Sequence, residues 1–185
     1  MGVLVRWCVV LMAVLGSCAP GAVRLAAQHV SEPELAAAFL FNFVRYTTWP
    51  ADVMPAGSPI VVCISGSDWV ADALVQLTRN RLVDGHVLSI RRDGPDRSLD
   101  GCHVVYGAAL DAAHGQALVR AASGRAILTV SDSVDFAQRG GVANFFIEDG
   151  RMRFAVNPAA AERARLRISS RLLTLAKMVS DDRTR

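Results

Sequence analysis

Ile60-Val61-Val62-Cys63-Ile64, followed at once by Ser65-Gly66-Ser67-Asp68, decides the fold class. Five apolar residues in a row leave no polar face, so the run reads as a strand buried on both sides, in the middle of a parallel sheet. The small residues after it end the strand, and Asp68 is expected to cap a helix reaching Leu77. Working outward, 87–91 alternates weakly and reads as a strand nearer an edge. Residues 93–101 carry Gly94, Pro95 and Gly101 and read as a loop. Residues 102–106 and 126–130 read as third and fourth strands, with a helix over 108–122 between them. Strands and helices that alternate at these lengths imply βαβ units with right-handed crossovers.

Upstream, Ser31-Glu32-Pro33-Glu34 is a capping box with proline in the first turn, opening a helix over 32–46. Leu35, Ala38, Phe39, Asn42, Phe43 and Tyr46 share one face at spacings of three and four, and Trp49-Pro50 follows as a stop. Downstream, Ser131-Asp132 is expected to cap a short helix over 134–138. Residues 142–148 and 151–156 flank Asp149-Gly150 as a β-hairpin. Asn157-Pro158 starts a short helix, and a last helix over 171–179 is expected to bury Leu172, Leu173, Leu175, Ala176 and Val179. The expectation is a single three-layer α/β domain over 28–185, with a mostly parallel sheet, a C-terminal hairpin and flanking helices. A chain of 185 residues that is 52% hydrophobic carries enough apolar surface for one such core.

Residues 1–27 read as an export signal. Arg6 precedes an apolar run over 7–15, too short to span a bilayer, and small residues follow. Two processing sites remain open: cleavage after Ala27, or a lipobox at Leu15-Gly16-Ser17-Cys18 that would put lipid on Cys18. The net charge is +3, and removing Arg6 and Arg24 leaves 18 basic against 17 acidic residues. That balance is no nucleic-acid footprint. Arg163, Arg165, Arg167 and Arg171 form the densest basic stretch and read as a solvated helix face rather than an anion or lipid site. Past the leader, Cys63 and Cys102 are an even pair in an oxidising compartment; the alternative is two separate buried thiols.

No GxSxG, HExxH, CxxC or phosphate-loop pattern is present, and His29, His86, His103 and His114 lack ligand spacing. No metal or cofactor is expected. Gly66 and Ser67, Tyr106, and Ser131 and Asp132 fall at carboxyl ends of strands, where α/β ligands sit, and form a candidate ligand pocket. Ser131, His103 and Asp132 contain the groups of a hydrolytic triad, but nothing in their spacing supports one. On the hairpin, Phe145-Phe146 puts an aromatic on each face. Phe145 or Phe146, with Glu148, Arg151 and Arg153 as a charged rim, is a candidate protein contact.

In order along the chain come 37–46 (AAFLFNFVRY) with Trp49-Pro50, Gly101-Cys102-His103, 128–132 (LTVSD), Phe136-Ala137, Gly140-Gly141, Asn144-Phe145, Glu148-Asp149-Gly150-Arg151, 154–157 (FAVN) and 166–170 (LRISS) with Leu172-Leu173. This ordered set resembles the YfiR family. The resemblance implies a periplasmic, non-enzymatic regulator that binds the periplasmic domain of a membrane diguanylate cyclase and represses cyclic-di-GMP synthesis. It implies sequestration by an outer-membrane lipoprotein, homodimers, and a structural Cys63–Cys102 disulfide. A small-molecule receptor of the same fold, for a nucleotide or an amino acid, is the alternative.

Overall fold

The computed structural model describes residues 31–92 and 98–182. The expected export signal, Cys18, and Gly94-Pro95 of the expected loop lie outside them. The fold is the expected single three-layer α/β domain.

Helix α1 (Glu32–Arg45) opens the fold. Its capping box is complete: Ser31 accepts from the Glu34 amide, and Glu34 accepts from the Ser31 backbone. The two-residue strand β1 (Thr47–Thr48) follows, and β2 (Ile60–Ser65) is the central strand. Helix α2 (Asp68–Thr78) then leads to β3 (Leu82–Val83) and β4 (His86–Arg92). Ser67, not Asp68, caps α2, because its hydroxyl accepts from the Val70 amide. Next come β5 (Val104–Gly107), α3 (Ala112–Ala122) and β6 (Leu128–Ser131). The third unit closes with β7 (Ala143–Glu148) and β8 (Arg151–Val156), joined by Asp149-Gly150. Both turn residues have positive φ (52° and 68°), as the expected two-residue hairpin turn requires. Helix α4 (Pro158–Arg163), β9 (Arg167–Ile168), α5 (Ser170–Leu173) and β10 (Lys177–Met178) complete the chain.

The main sheet has the order β10-β8-β7-β6-β5-β2-β4-β3. Strands β4, β2, β5, β6 and β7 are mutually parallel, while β8 returns antiparallel to β7. The chain steps from β2 to β4 in one direction and then from β2's other side outward through β5, β6 and β7. Right-handed crossovers running in opposite directions land on opposite faces. Val62, Ile64, Val104, Tyr106, Leu128 and Val130 accordingly pack on one face with α1 and α2. Cys63, Val105 and Ile127 pack on the other face with Leu118 and Ala122 of α3.

Four expectations are corrected. The helix over 108–122 begins at Ala112, where Asp111 caps it, because 107–110 form a turn with Ala109 at φ 51°. Residues 134–138 form turns, not a helix. The last helix, expected over 171–179, ends at Leu173, and β10 then adds to the sheet beside β8. Leu175, expected in the core, is 75% exposed. The buried face of α1 is also rotated: Ala36, Ala37, Leu40, Phe43 and Val44 are its innermost residues, while Leu35, Ala38 and Asn42 are only half-buried.

Cys63 and Cys102 form the expected disulfide, closing 39 residues between β2 and the start of β5. A loop of that size restricts the unfolded chain enough to stabilise the fold by about 2–4 kcal/mol. For a domain of this length that corresponds to a melting temperature about 5–15 °C higher. Cys63→Ser, or reduction of the wild type, is expected to lower Tm by that amount in thermal unfolding. Equal melting of oxidised wild type and Cys63→Ser would leave the bond without a stabilising role.

Candidate functional site

Strand register builds a cleft at the carboxyl edge of the sheet. Ser131 ends β6 and pairs with Asn144, only the second residue of β7. The rest of the hairpin therefore overhangs the sheet by about 13 Å, four residues at strand rise. The N-terminal turn of α1 stands opposite, contributing Glu32, Pro33 and Ala36. Between them lies a cleft of about 620 Å³. Tyr106 and Asp132 form part of its floor, the turns after β6 supply Val134, Asp135 and Gln138, and Phe146, Ile147 and Lys177 flank the hairpin side.

The cleft brings together Ser67, Tyr106 and Asp132 of the expected ligand pocket, and Phe145 and Phe146 of the expected contact surface. Gly66 and Ser131 are not in its wall. Gly66 has φ 80°, and a Cβ there would meet the Ala108 carbonyl oxygen at 2.8 Å, so it serves the close approach of two turns. Ser131 is fully buried and donates to the Gly107 carbonyl at 2.7 Å. Asp132 is no helix cap. Its carboxylate accepts from the Tyr106 phenol at 3.0 Å and from the Ala109 amide at 2.6 Å. Ser133 donates to the Leu110 carbonyl at 2.5 Å. Ser131, Asp132 and Ser133 together stitch down the 107–110 turn, whose left-handed Ala109 needs that support. Burial, then the adjacent Asp132 carboxylate, pushes the Tyr106 phenol far above its ordinary pKa, so it stays a hydrogen-bond donor.

Phe145 is 2% exposed and stacks on Phe43, so it belongs to the core rather than to a contact surface. Phe146 is half-buried, with the Lys177 ammonium 5.5 Å from its ring centre. Glu148, Arg151 and Arg153 are exposed at the hairpin tip, where Arg153 pairs with Glu148 at 3.3 Å. Sequence reading missed two exposed apolar groups in the cleft lining, Val134 and Ile147, which are 74% and 59% exposed. The available signal was an isolated branched apolar residue next to charges in a turn and at a hairpin tip.

The wall formed by 132–141 crosses from β6 to β7 without a helix, and two buried asparagines hold it. Asn144 accepts from the Ala137 amide at 3.2 Å, and Asn157 donates to the Ala137 carbonyl at 2.9 Å.

His103 lies at the opposite edge of the sheet from Ser131, separated by the length of β5, about 13 Å. The hydrolytic set is therefore not assembled. His103 is structural instead. Its Nδ1 accepts from the Val61 amide at 3.0 Å, and its carbonyl accepts from Leu128 N–H and from the Trp49 indole.

Residues 33–177 match the family model described as YfiR/HmsC-like. The chain belongs to that family. No curated protein matches the chain. Nine chains of solved structures do. One is a conserved domain protein from Vibrio cholerae O1 biovar El Tor, with TM-score 0.50 and 14% identity over 81% of this chain. This YfiR/HmsC-like chain spans 60% of that chain, and the likeness is one of fold. No helix among the described residues is long and apolar enough to cross a membrane.

The position of His103 gives the YfiR/HmsC-like domain a pH dependence. Burial holds His103 below the ordinary imidazole range, a charge on His86 adds to this, and a hydrogen bond to the Val53 backbone opposes it. A proton on Nδ1 would also face the Val61 N–H. The folded state therefore binds fewer protons than the unfolded chain near pH 6.5. The resulting stability is present above pH 6.5 and is lost as pH falls from there through the lowered folded value. Tm is expected to drop between pH 7 and 5, before the carboxylates titrate. His103→Asn, which keeps an acceptor oxygen near the Nδ1 position, is expected to flatten that drop. An equally steep drop in the variant would assign it to another group.

Proposed function

We propose that this protein docks through the hairpin side of its cleft on the periplasmic domain of a membrane diguanylate cyclase and holds the cyclase inactive, lowering cyclic-di-GMP. The match to the YfiR/HmsC-like family over 33–177 carries this reading. The surface supports it: Val134 and Ile147 stand exposed in the lining of the cleft, and Glu148, Arg151 and Arg153 are exposed on the other face of the same hairpin, so the projecting ribbon offers both apolar and charged contacts. Residues 1–27 are taken as the export signal, with lipid on Cys18 as the alternative to cleavage. Homodimerisation and sequestration by an outer-membrane lipoprotein extend the same reading. Repression needs no bond-making group. Tenfold tighter binding to the inactive cyclase shifts its equilibrium by about 1.4 kcal/mol.

Deleting the gene is expected to raise cellular cyclic-di-GMP several-fold, and wild type to restore it. Ile147→Asp is expected to fold with Tm unchanged within about 1 °C, because the side chain is mostly exposed, yet to leave cyclic-di-GMP high. A level that stays flat on deletion would sink the proposal. Full repression by Ile147→Asp would move the contact elsewhere.

The 620 Å³ cleft, with the Tyr106–Asp132 pair in it, also favours a second reading as a small-molecule receptor. A thermal-shift screen with nucleotides and amino acids tests it. A saturable rise in Tm without any partner, weakened in Phe146→Ala, is the expected sign. No shift from any of them would remove those two ligand classes.

A further inference from the structure

The arginine run at 163–171 is not one helix face. Arg163 ends α4 and pairs with Asp181 at 2.8 Å, and Arg165 pairs with Asp52 at 3.0 Å. Arg167 and Arg171 take another direction. Strand β9 pairs antiparallel with β1, placing Arg167 beside Thr48 and Ile168 beside Thr47. The Ser169 amide donates to the Tyr46 carbonyl at 2.8 Å. This ladder brings Arg45, from the last turn of α1, into one shallow depression with Arg167 and Arg171. The depression measures about 290 Å³, and Tyr46, Thr48, Ile168 and Ser169 complete its lining.

No acidic side chain among the described residues pairs with Arg45, Arg167 or Arg171. Acids occur close by, but Asp52 and Asp181 are committed to the neighbouring arginines. Arg45 is held instead by aromatic rings, its guanidinium carbon 5.8 Å from the Phe41 centre and 5.7 Å from that of Tyr46. Ring contact orients a guanidinium and leaves its charge unneutralised. Three like charges around one concavity repel one another unless an anion joins them. A carboxylate brings one charge and two oxygens. A phosphate brings up to two charges and at least two free oxygens, and guanidinium forks match it bidentately.

We propose that the depression formed by Arg45, Arg167 and Arg171 binds a phosphate group. This surface does not depend on the docking reading. It sits at the far end of α1 from the cleft, and 14 residues of helix separate the two by about 20 Å. The phosphate comes either from a soluble phosphate ester or from an anionic phospholipid headgroup, and the test separates them.

Thermal unfolding of the purified protein is followed in inorganic phosphate against chloride at matched ionic strength. Co-sedimentation is measured with phosphatidylglycerol and phosphatidylcholine vesicles. Wild type is expected to show a saturable, phosphate-specific rise in Tm or phosphatidylglycerol-specific sedimentation. Arg167→Gln and Arg171→Gln are each expected to weaken the apparent affinity about tenfold. Arg171→Lys, which keeps the charge and loses the fork, should fall in between. Arg120→Gln, on the other face of the sheet, should match wild type. A phosphate shift without vesicle binding identifies a soluble ester, and vesicle binding lost in the same variants identifies a headgroup. Equal melting in phosphate and chloride with no selective sedimentation overturns the site. So does a response that persists in both glutamine variants.

Discussion

Both the cleft and the basic depression depend on how α1 is seated. That helix precedes the sheet and belongs to no strand-helix-strand crossover, so no backbone ladder fixes its body and side chains must do so. Phe43 stacks on Phe145 with centres 5.6 Å apart and planes within 9°, and meets Phe154 edge-on at 5.2 Å. Phe39 packs against the same two rings, and Tyr106 lies 6.0 Å from Phe145. Such pairs contribute about 0.5–1.5 kcal/mol each beyond the area they bury. The cluster joins α1 to the hairpin and to β5 together. One end of the helix then forms a wall of the cleft, and the other end delivers Arg45 to the basic depression.

A second constraint acts on the opposite wall. A parallel crossover without a helix leaves its backbone groups to find partners one by one. Asn144 and Asn157 take both the N–H and the C=O of Ala137. A Cβ on Gly141 would lie 2.2 Å from the Phe136 ring, so the segment turns tightly over a buried aromatic. Val134 is exposed on this segment because its neighbours at 136 and 137 are anchored, not because the loop is loose.

Local signals made much of this legible in sequence. The apolar run at 60–64 fixed a central strand, Ser31 and Glu34 fixed the start of α1, and Asp149-Gly150 fixed the hairpin turn, since each depends on neighbours in the chain. The misreadings come from distant partners. Residues 171–179 have helical spacing of apolar groups, yet β8 offered an open edge, and Lys177 and Met178 took it. Asp132 looked like a cap because the Ala109 amide and Tyr106 phenol it serves lie more than twenty residues away. Asp111 caps α3 from inside an alanine-rich stretch, 108–122, whose composition favours helix throughout and so hides the boundary. The meeting of Arg45 with Arg167 and Arg171 rests on a two-residue ladder, which carries almost no sequence signal.

The hydrogen bonding around the cleft bears on the docking reading. The polar groups at and beneath the cleft floor are already engaged: Ser131 with Gly107, Tyr106 and Ala109 with Asp132, Ser133 with Leu110. A nucleophile or base so occupied would have to break the turn it supports before reacting. A docking surface gains from the same arrangement. Apolar groups presented on anchored backbone lose little conformational freedom when a partner covers them, so more of the buried area converts to affinity. The interactions that occupy Ser131 and Asp132 thus hold the 107–110 turn beside the cleft, a frame that suits the docking reading.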